Sequence, residues 1–219
     1  QEQLQLPAAQ HGRDFLTKRG FDRDAAKNFN VGYAPDEWDG LYKNLKGKGF
    51  TDEELNLAGL VNEGTKGMID RYRNRLIWPV EDISGDVVGF GARKLASDEV
   101  DTGPKYLNSP ETPVYKKNQI LYGLDMAKKE ISKNRQVVIV EGYTDVMAAH
   151  IAGVSTAVAT CGTAFGDEHI RIIRRLLMDA DAFRGEVIFT FDGDAAGQKA
   201  ALRAFEDDQK FVAQTFVAV

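Results

Sequence analysis

The chain has 219 residues, 43% of them apolar, enough for one large domain or two small ones with a sizeable core. Its formal net charge is −5, with 17 basic and 19 acidic side chains over residues 1–118 and 11 and 14 over residues 119–219; this excludes a bulk-basic nucleic-acid binder and leaves room for a local basic patch. A single cysteine, Cys161, excludes an internal disulfide, no stretch approaches the ~20 apolar residues of a membrane span, and the opening QEQLQLPAAQ lacks a signal-peptide pattern, so a cytoplasmic protein without membrane contact is expected.

In chain order, Phe15, Leu16, Arg19, Ala26 and Phe29 fall near helical spacing and predict a helix over residues 12–29, interrupted at Gly20. GYAPDEWDGL (32–41) reads as a loop entering a helix that ends near Lys48-Gly49. TDEELNLAGL (51–60) opens with Thr51 and Glu54 at capping-box spacing, so another helix starts there. The period then changes: RLIWPVEDISGDVVGFGARKL (75–95) predicts two strands joined by a turn at Ser84-Gly85-Asp86. GPKYLNSPETPVY (103–115) reads as a long polar loop, and ILYGLDMAKKEISK (120–133) as a helix.

From Arg135 onward strands alternate with helices: QVVIV (136–140), TDVMAAHIAG (144–153), STAVATC (155–161), EHIRIIRRLLMDA (168–180), VIFTF (187–191), DAAGQKAALRAFEDDQ (194–209) and a last apolar run over 210–219. That alternation predicts a mostly parallel sheet flanked by helices. The composition changes over 118–134, so the expected organisation is a mixed α+β subdomain over 1–118 and an α/β domain over 119–219. Trp38, Trp78 and Phe90 are expected in the core. Gly89 and Gly91, two apart in a strand, mark either a bulge or a place of close approach.

Two of the predicted strands run into acid. QVVIV ends at Glu141, and VIFTF at Asp192 and Asp194. In open parallel sheets ligands bind beyond the carboxyl ends of the strands. Residues two apart in an extended segment face the same way, and Asp145, four past Glu141, returns over the same edge if a helix starts there. Like charges ~4 Å apart repel by roughly 4 kcal/mol at an effective dielectric near 20. Four carboxylates so placed bind a cation or shift their pKa values strongly. Oxygen donors without sulfur or imidazole select Mg²⁺ or Mn²⁺. A calcium loop fits less well, because Ala196 and Arg203 stand where DGDAAG would need ligands.

VIVEGYTDVMAAH, TAVATCGTAFGDEHIRIIRRL and FTFDGDAAGQKAALRAF resemble the Toprim domain of primases, topoisomerases and some nucleases. DRYRNRLIWPVEDISGDVVGFGARKL and PKYLNSPETPVYKKNQILYGL, with YAPDEWDGL and the RG of TKRGF, narrow the likeness to the RNA-polymerase core of the bacterial replicative primase, the DnaG type, above all its actinobacterial members. The resemblance implies synthesis of short RNA primers on a single-stranded DNA template from ribonucleoside triphosphates, with two divalent metal ions. It assigns Asp192, Asp194 and Asp145 to metal and Glu141 to metal, proton transfer or both. Arg71 and Arg73 align with its template-binding arginines, and Arg75, which recurs with them at period two and would share one face of an extended segment, is expected at the template beside them. Lys105, Tyr106 and Asn108 fall to the incoming nucleotide, joined by Arg19; the alarmone ppGpp is a further candidate for that site. It also implies a zinc-binding domain before Gln1, a helicase-binding domain after Val219, and a further acidic pair beyond the last strand, so that the Toprim domain is cut short at its C-terminal end. Competing readings are another Toprim phosphotransfer enzyme, a nucleotide-binding module without turnover, and an aspartyl-phosphate phosphatase, for which Ala196 replaces the expected threonine.

Overall fold

The computed structural model describes residues 1–178, 185–190 and 213–218, and the chain divides into two compact units, Gln1–Val80 with Val87–Tyr115, and Glu81–Asp86 with Lys116–Val219. The first unit opens with α1 (Gln10–Lys18) and α2 (Arg23–Asn28). Gly20, at φ +79, separates them, and the Asp22 carboxylate caps the second by accepting the Ala25 N–H at 2.7 Å. After β1 (Gly32–Ala34) come α3 (Gly40–Gly47) and α4 (Asp52–Leu57). The predicted capping box on α4 is present: Thr51 Oγ1 accepts the Glu54 N–H at 3.2 Å, and the Glu54 carboxylate accepts the Thr51 N–H at 2.7 Å.

An antiparallel hairpin, β2 (Val61–Gly64) and β3 (Gly67–Asp70), follows and was not expected. The two long strands are β4 (Arg75–Glu81) and β5 (Val87–Lys94). Asp82 shapes the turn between them by accepting the N–H groups of Ser84, Gly85 and Asp86. The stretch expected as loop contains β6 (Tyr106–Asn108), which pairs antiparallel with β5 and completes a sheet of order β1-β4-β5-β6. Leu76, Trp78 and Val80 alternate along one face of β4 and are fully buried. Each contributes about 2 kcal/mol of apolar burial. Gly89 serves close packing: a Cβ there would stand 2.8 Å from the buried Tyr115 ring.

The second unit holds β7 (Leu121–Tyr122), α5 (Leu124–Asn134), β8 (Gln136–Val140), α6 (Tyr143–Ile151), β9 (Ala157–Thr160), α7 (Asp167–Leu177), β10 (Glu186–Thr190) and β11 (Gln214–Ala218). The expected helix over 120–133 begins later, because Gly123 at φ +82 turns the chain out of the short strand β7. The sheet order is β11-β10-β8-β9-β7, with all neighbours parallel except β7. Val137 and Ile139 of β8, Val158 of β9, and Val187 and Phe189 of β10 pack with Ala127 and Ile131 of α5 and Ile170, Ile173 and Leu177 of α7. Strands buried on both faces have no polar side to show, hence the unbroken run QVVIV. Among the described residues no helix is long and apolar enough to cross a membrane.

Candidate active site and nucleic-acid interface

In the second unit the chain leaves β8 for β9 on one side and later returns to place β10 on the other. Strand order therefore reverses at the β8–β10 pair. The crevice beyond the carboxyl ends of such a pair is where open α/β sheets take their ligands. Thr190 Oγ1 donates to the Ile139 carbonyl at 3.2 Å and ties the two strand ends together. Glu141 is the first residue past β8 and is exposed. Gly142 is the N-cap of α6, and Asp145 lies in that helix's first turn, where the helix dipole favours a carboxylate. Asp145 folds back over the rim: its Oδ2 is 3.6 Å from where a Cβ on Gly142 would stand. Two of the four expected carboxylates thus flank one glycine. Asp192 and Asp194 lie outside the described residues, as do Ala196 and Arg203. Among the described residues no group of three or more His, Cys, Asp and Glu side chains could hold a metal ion.

Behind this edge, His169 organises the start of α7. It is fully buried and stacks on Phe165, with ring centroids 5.5 Å apart. Nδ1 accepts the Gly166 N–H at 3.2 Å, so Nε2 carries the proton and donates to the Lys117 carbonyl at 3.1 Å. Burial depresses its pKa, outweighing the backbone hydrogen bonds to Lys117 and Ile120 and the Glu168 carboxylate, which favour the charged ring.

In the first unit the expected basic residues separate into two groups. Lys105 and Tyr106 are exposed at the start of β6, and Asn108 ends it. Tyr106 pairs across the ladder with Arg93 of β5, whose guanidinium lies 5.8 Å from the Tyr106 ring and 4.0 Å from that of Phe15. Arg19 approaches Phe15 at 4.9 Å. Tyr106 and Arg19 are therefore joined through Phe15, which the sequence reading places only on a helix, and Arg93, which it does not single out. The usable signal was in GFGARK, whose arginine stands opposite the tyrosine of PKYLN. Arg71 Nη2 donates to the Asn108 carbonyl at 2.9 Å. The next residue, Ser109, is buried and locks this strand end: its N–H donates to the Phe90 carbonyl at 2.8 Å and its Oγ accepts the Phe90 N–H at 2.9 Å. Tyr72 Oη, 3.0 Å from Ser109 Oγ, completes the anchor.

Three expectations for this unit are corrected. DRYRNR is not an extended segment: β3 stops at Asp70, β4 starts at Arg75, and Asn74 between them adopts φ +47. Arg71, Arg73 and Arg75 therefore share no strand face. Arg75 is 4% exposed, donating to the Pro104 carbonyl at 2.9 Å and pairing with Asp101 at 3.2 Å. Trp38 is not core but 66% exposed, with the Arg73 guanidinium 4.1 Å above its ring. Its loop is held by Asp70, whose N–H donates to the Trp38 carbonyl at 2.7 Å and whose buried carboxylate caps α3 through the N–H groups of Leu41 and Tyr42.

Comparison with known proteins bears out the resemblance. The model of the N-terminal domain of the DNA primase catalytic core matches residues 1–128, more than half of the chain. The chain belongs to the DNA primase catalytic-core family. The Toprim domain model matches residues 135–218. A DNA primase of Streptomyces coelicolor is 66% identical over 213 residues, covering 97% of this chain and 33% of the relative. The RNA polymerase domain of the Mycobacterium tuberculosis primase superposes with a TM-score of 0.93 at 54% identity, covering all of this chain and 70% of that one. The same mycobacterial domain in complex with double-stranded DNA gives a TM-score of 0.91, also at 54% identity, covering all of this chain and 68% of that one. The chain spans about a third of the length of the curated primase relatives it matches.

Proposed function

We propose that the chain is the catalytic core of a DNA primase, a nucleotidyltransferase that makes short RNA primers on single-stranded DNA. The observation that carries this reading is the strand reversal at β8 and β10 in the segment that matches the Toprim domain model; Glu141, the first residue past β8, supports it as the candidate on the rim of the crevice. The donor chemistry fits a hard divalent ion: Glu141 and Asp145 offer exposed carboxylate oxygens, with Asp192 and Asp194 as the remaining candidates. A magnesium or manganese ion, if held by these carboxylates, would lower the pKa of an attacking 3′-hydroxyl and neutralise charge on the triphosphate. Glu141, two residues before the start of α6, is the candidate for steering that hydroxyl's proton.

The first unit supplies the binding surface. Arg71, Arg73 and Arg93 present guanidinium groups to template phosphates, and Phe15, Trp38 and Tyr106 offer rings for unpaired bases. Lys105 meets nucleotide phosphates beside Tyr106 and Asn108, and Arg19 supports them. A nucleotide site of this kind would also admit ppGpp, and a replicative helicase would engage a region outside these residues. Arg75 is withdrawn from the template contacts, since its guanidinium is committed inside the protein.

The full-length protein, given a single-stranded template, ribonucleoside triphosphates and magnesium, is expected to make labelled RNA oligomers. Glu141→Gln, nearly isosteric, is expected to lower synthesis by roughly a hundredfold or more while DNA binding stays intact. Template nicking without oligomers would favour a Toprim nuclease. Nucleotide binding without oligomers in the wild type would favour a non-catalytic module.

A further inference from the structure

Arg75 and Lys94 are buried cations on neighbouring strands, and both are spent on the same short loop. Lys94 is 5% exposed. Its ammonium donates to Asp98 Oδ1 at 2.6 Å, to the Asp101 carbonyl, and to the Gly103 carbonyl at 3.0 Å, which uses all three of its protons. Arg75 holds the adjoining Pro104 carbonyl and the Asp101 carboxylate, whose other oxygen accepts the Gly103 N–H at 2.7 Å. The Lys94 N–H donates to the Lys105 carbonyl at 2.9 Å. The backbone just before Lys105 and Tyr106 is therefore gripped from beneath by two desolvated charges.

Stability alone does not call for such an arrangement. Burying a cation costs several kcal/mol of hydration, and an apolar residue of similar volume often does as well or better. What two cations provide is direction: carbonyls aimed at fixed points define a backbone path that apolar packing leaves loose. Their targets end where the exposed pair begins.

We propose that Lys94 and Arg75 are positioning residues that set where the Lys105 ammonium and the Tyr106 ring stand, and so determine affinity for the incoming nucleotide. This rests on the reading of Lys105 as a nucleotide contact. Lys94→Met in the full-length protein keeps length and volume but removes the charge. It is expected to raise KM for ribonucleoside triphosphates about tenfold, the scale set by misplacing a contact by a fraction of an ångström, with kcat and affinity for single-stranded DNA unchanged. Lys94→Arg is expected to recover most of the loss. Asp101→Asn, which loosens the Arg75 grip from a half-exposed position, should raise KM in the same direction and covers the case in which the Met variant does not fold. Lys105→Ala is the control. If it raises KM while both Lys94→Met and Asp101→Asn keep the wild-type value, or only lower the melting temperature, the positioning role is overturned and the nucleotide contact stands. If Lys105→Ala itself leaves KM unchanged, the underlying contact falls and this inference with it.

Discussion

Asp70→Ala isolates a single long-range contact. The carboxylate is 4% exposed and accepts the Leu41 N–H at 2.8 Å and the Tyr42 N–H at 2.9 Å, the first two of α3 after its opening glycine. Asp39, at the N-cap, makes no side-chain cap bond of its own, so no local group replaces Asp70. A hydrogen bond to a charged group contributes roughly 1.5–3 kcal/mol, and α3 buries none of its residues, so water recovers part of the loss; the net cost is about 3 kcal/mol. For a chain of this size that lowers the melting temperature by about 9 °C. Asp70→Asn keeps one acceptor and should lose about half as much. Intrinsic tryptophan fluorescence is a suitable assay, because both tryptophans, Trp38 beside the contact and Trp78 in the core, belong to the first unit. A drop below about 2 °C for the alanine variant, or equal loss from both variants, would refute the reasoning.

Gly123→Ala places a Cβ 2.8 Å from Val146 Cγ1 at φ +82, combining left-handed strain with overpacking; a loss of about 3 kcal/mol by denaturant titration is expected. His169, whose folded pKa lies below the ordinary value of about 6.5, takes its proton first in the unfolded chain, so its contribution is complete above pH ~6.5 and declines as pH falls toward the lower folded value. Melting curves at a series of pH values across that window should show a shallower acid decline for His169→Asn than for the wild type. Arg93→Ala should weaken single-stranded DNA binding by the full-length protein and reduce the slope of log K against log salt by about 0.7, one phosphate contact, as read by fluorescence anisotropy.

The α/β half was legible because its signals are long and redundant. Residues 137–140 of β8 and 187–189 of β10 are unbroken apolar runs, and Thr51 with Glu54 is a chemical cap rather than a propensity. The resemblance on PKYLNSPET drew attention to a segment whose fold it left hidden. β6 has only three residues and β7 two, too few for alternation to register, and the β2–β3 hairpin pairs Asn62 and Glu63 with Ile69 and Met68, a pattern with no apolar face. Trp38 was assigned to the core on residue type, and only the fold brings Arg73 onto its exposed ring. Period two presumes an extended backbone, and Asn74, at φ +47, takes Arg75 off the face that Arg71 and Arg73 would share with it. Asp70 could not be foreseen, since the amides it caps lie about thirty residues upstream.

The pairing that builds the Glu141 rim also sets its order of assembly. Gln136 hydrogen-bonds Glu186 across β8 and β10, 50 positions later in the chain, whereas β8 and β9 are separated only by α6 and its flanking turns. Contacts of such high sequence separation form slowly, and during translation the nearer pair closes first. A nascent polypeptide thus exposes the glutamate before β10 has left the ribosome, and the metal site proposed at that rim would be completed only after residue 186 is made.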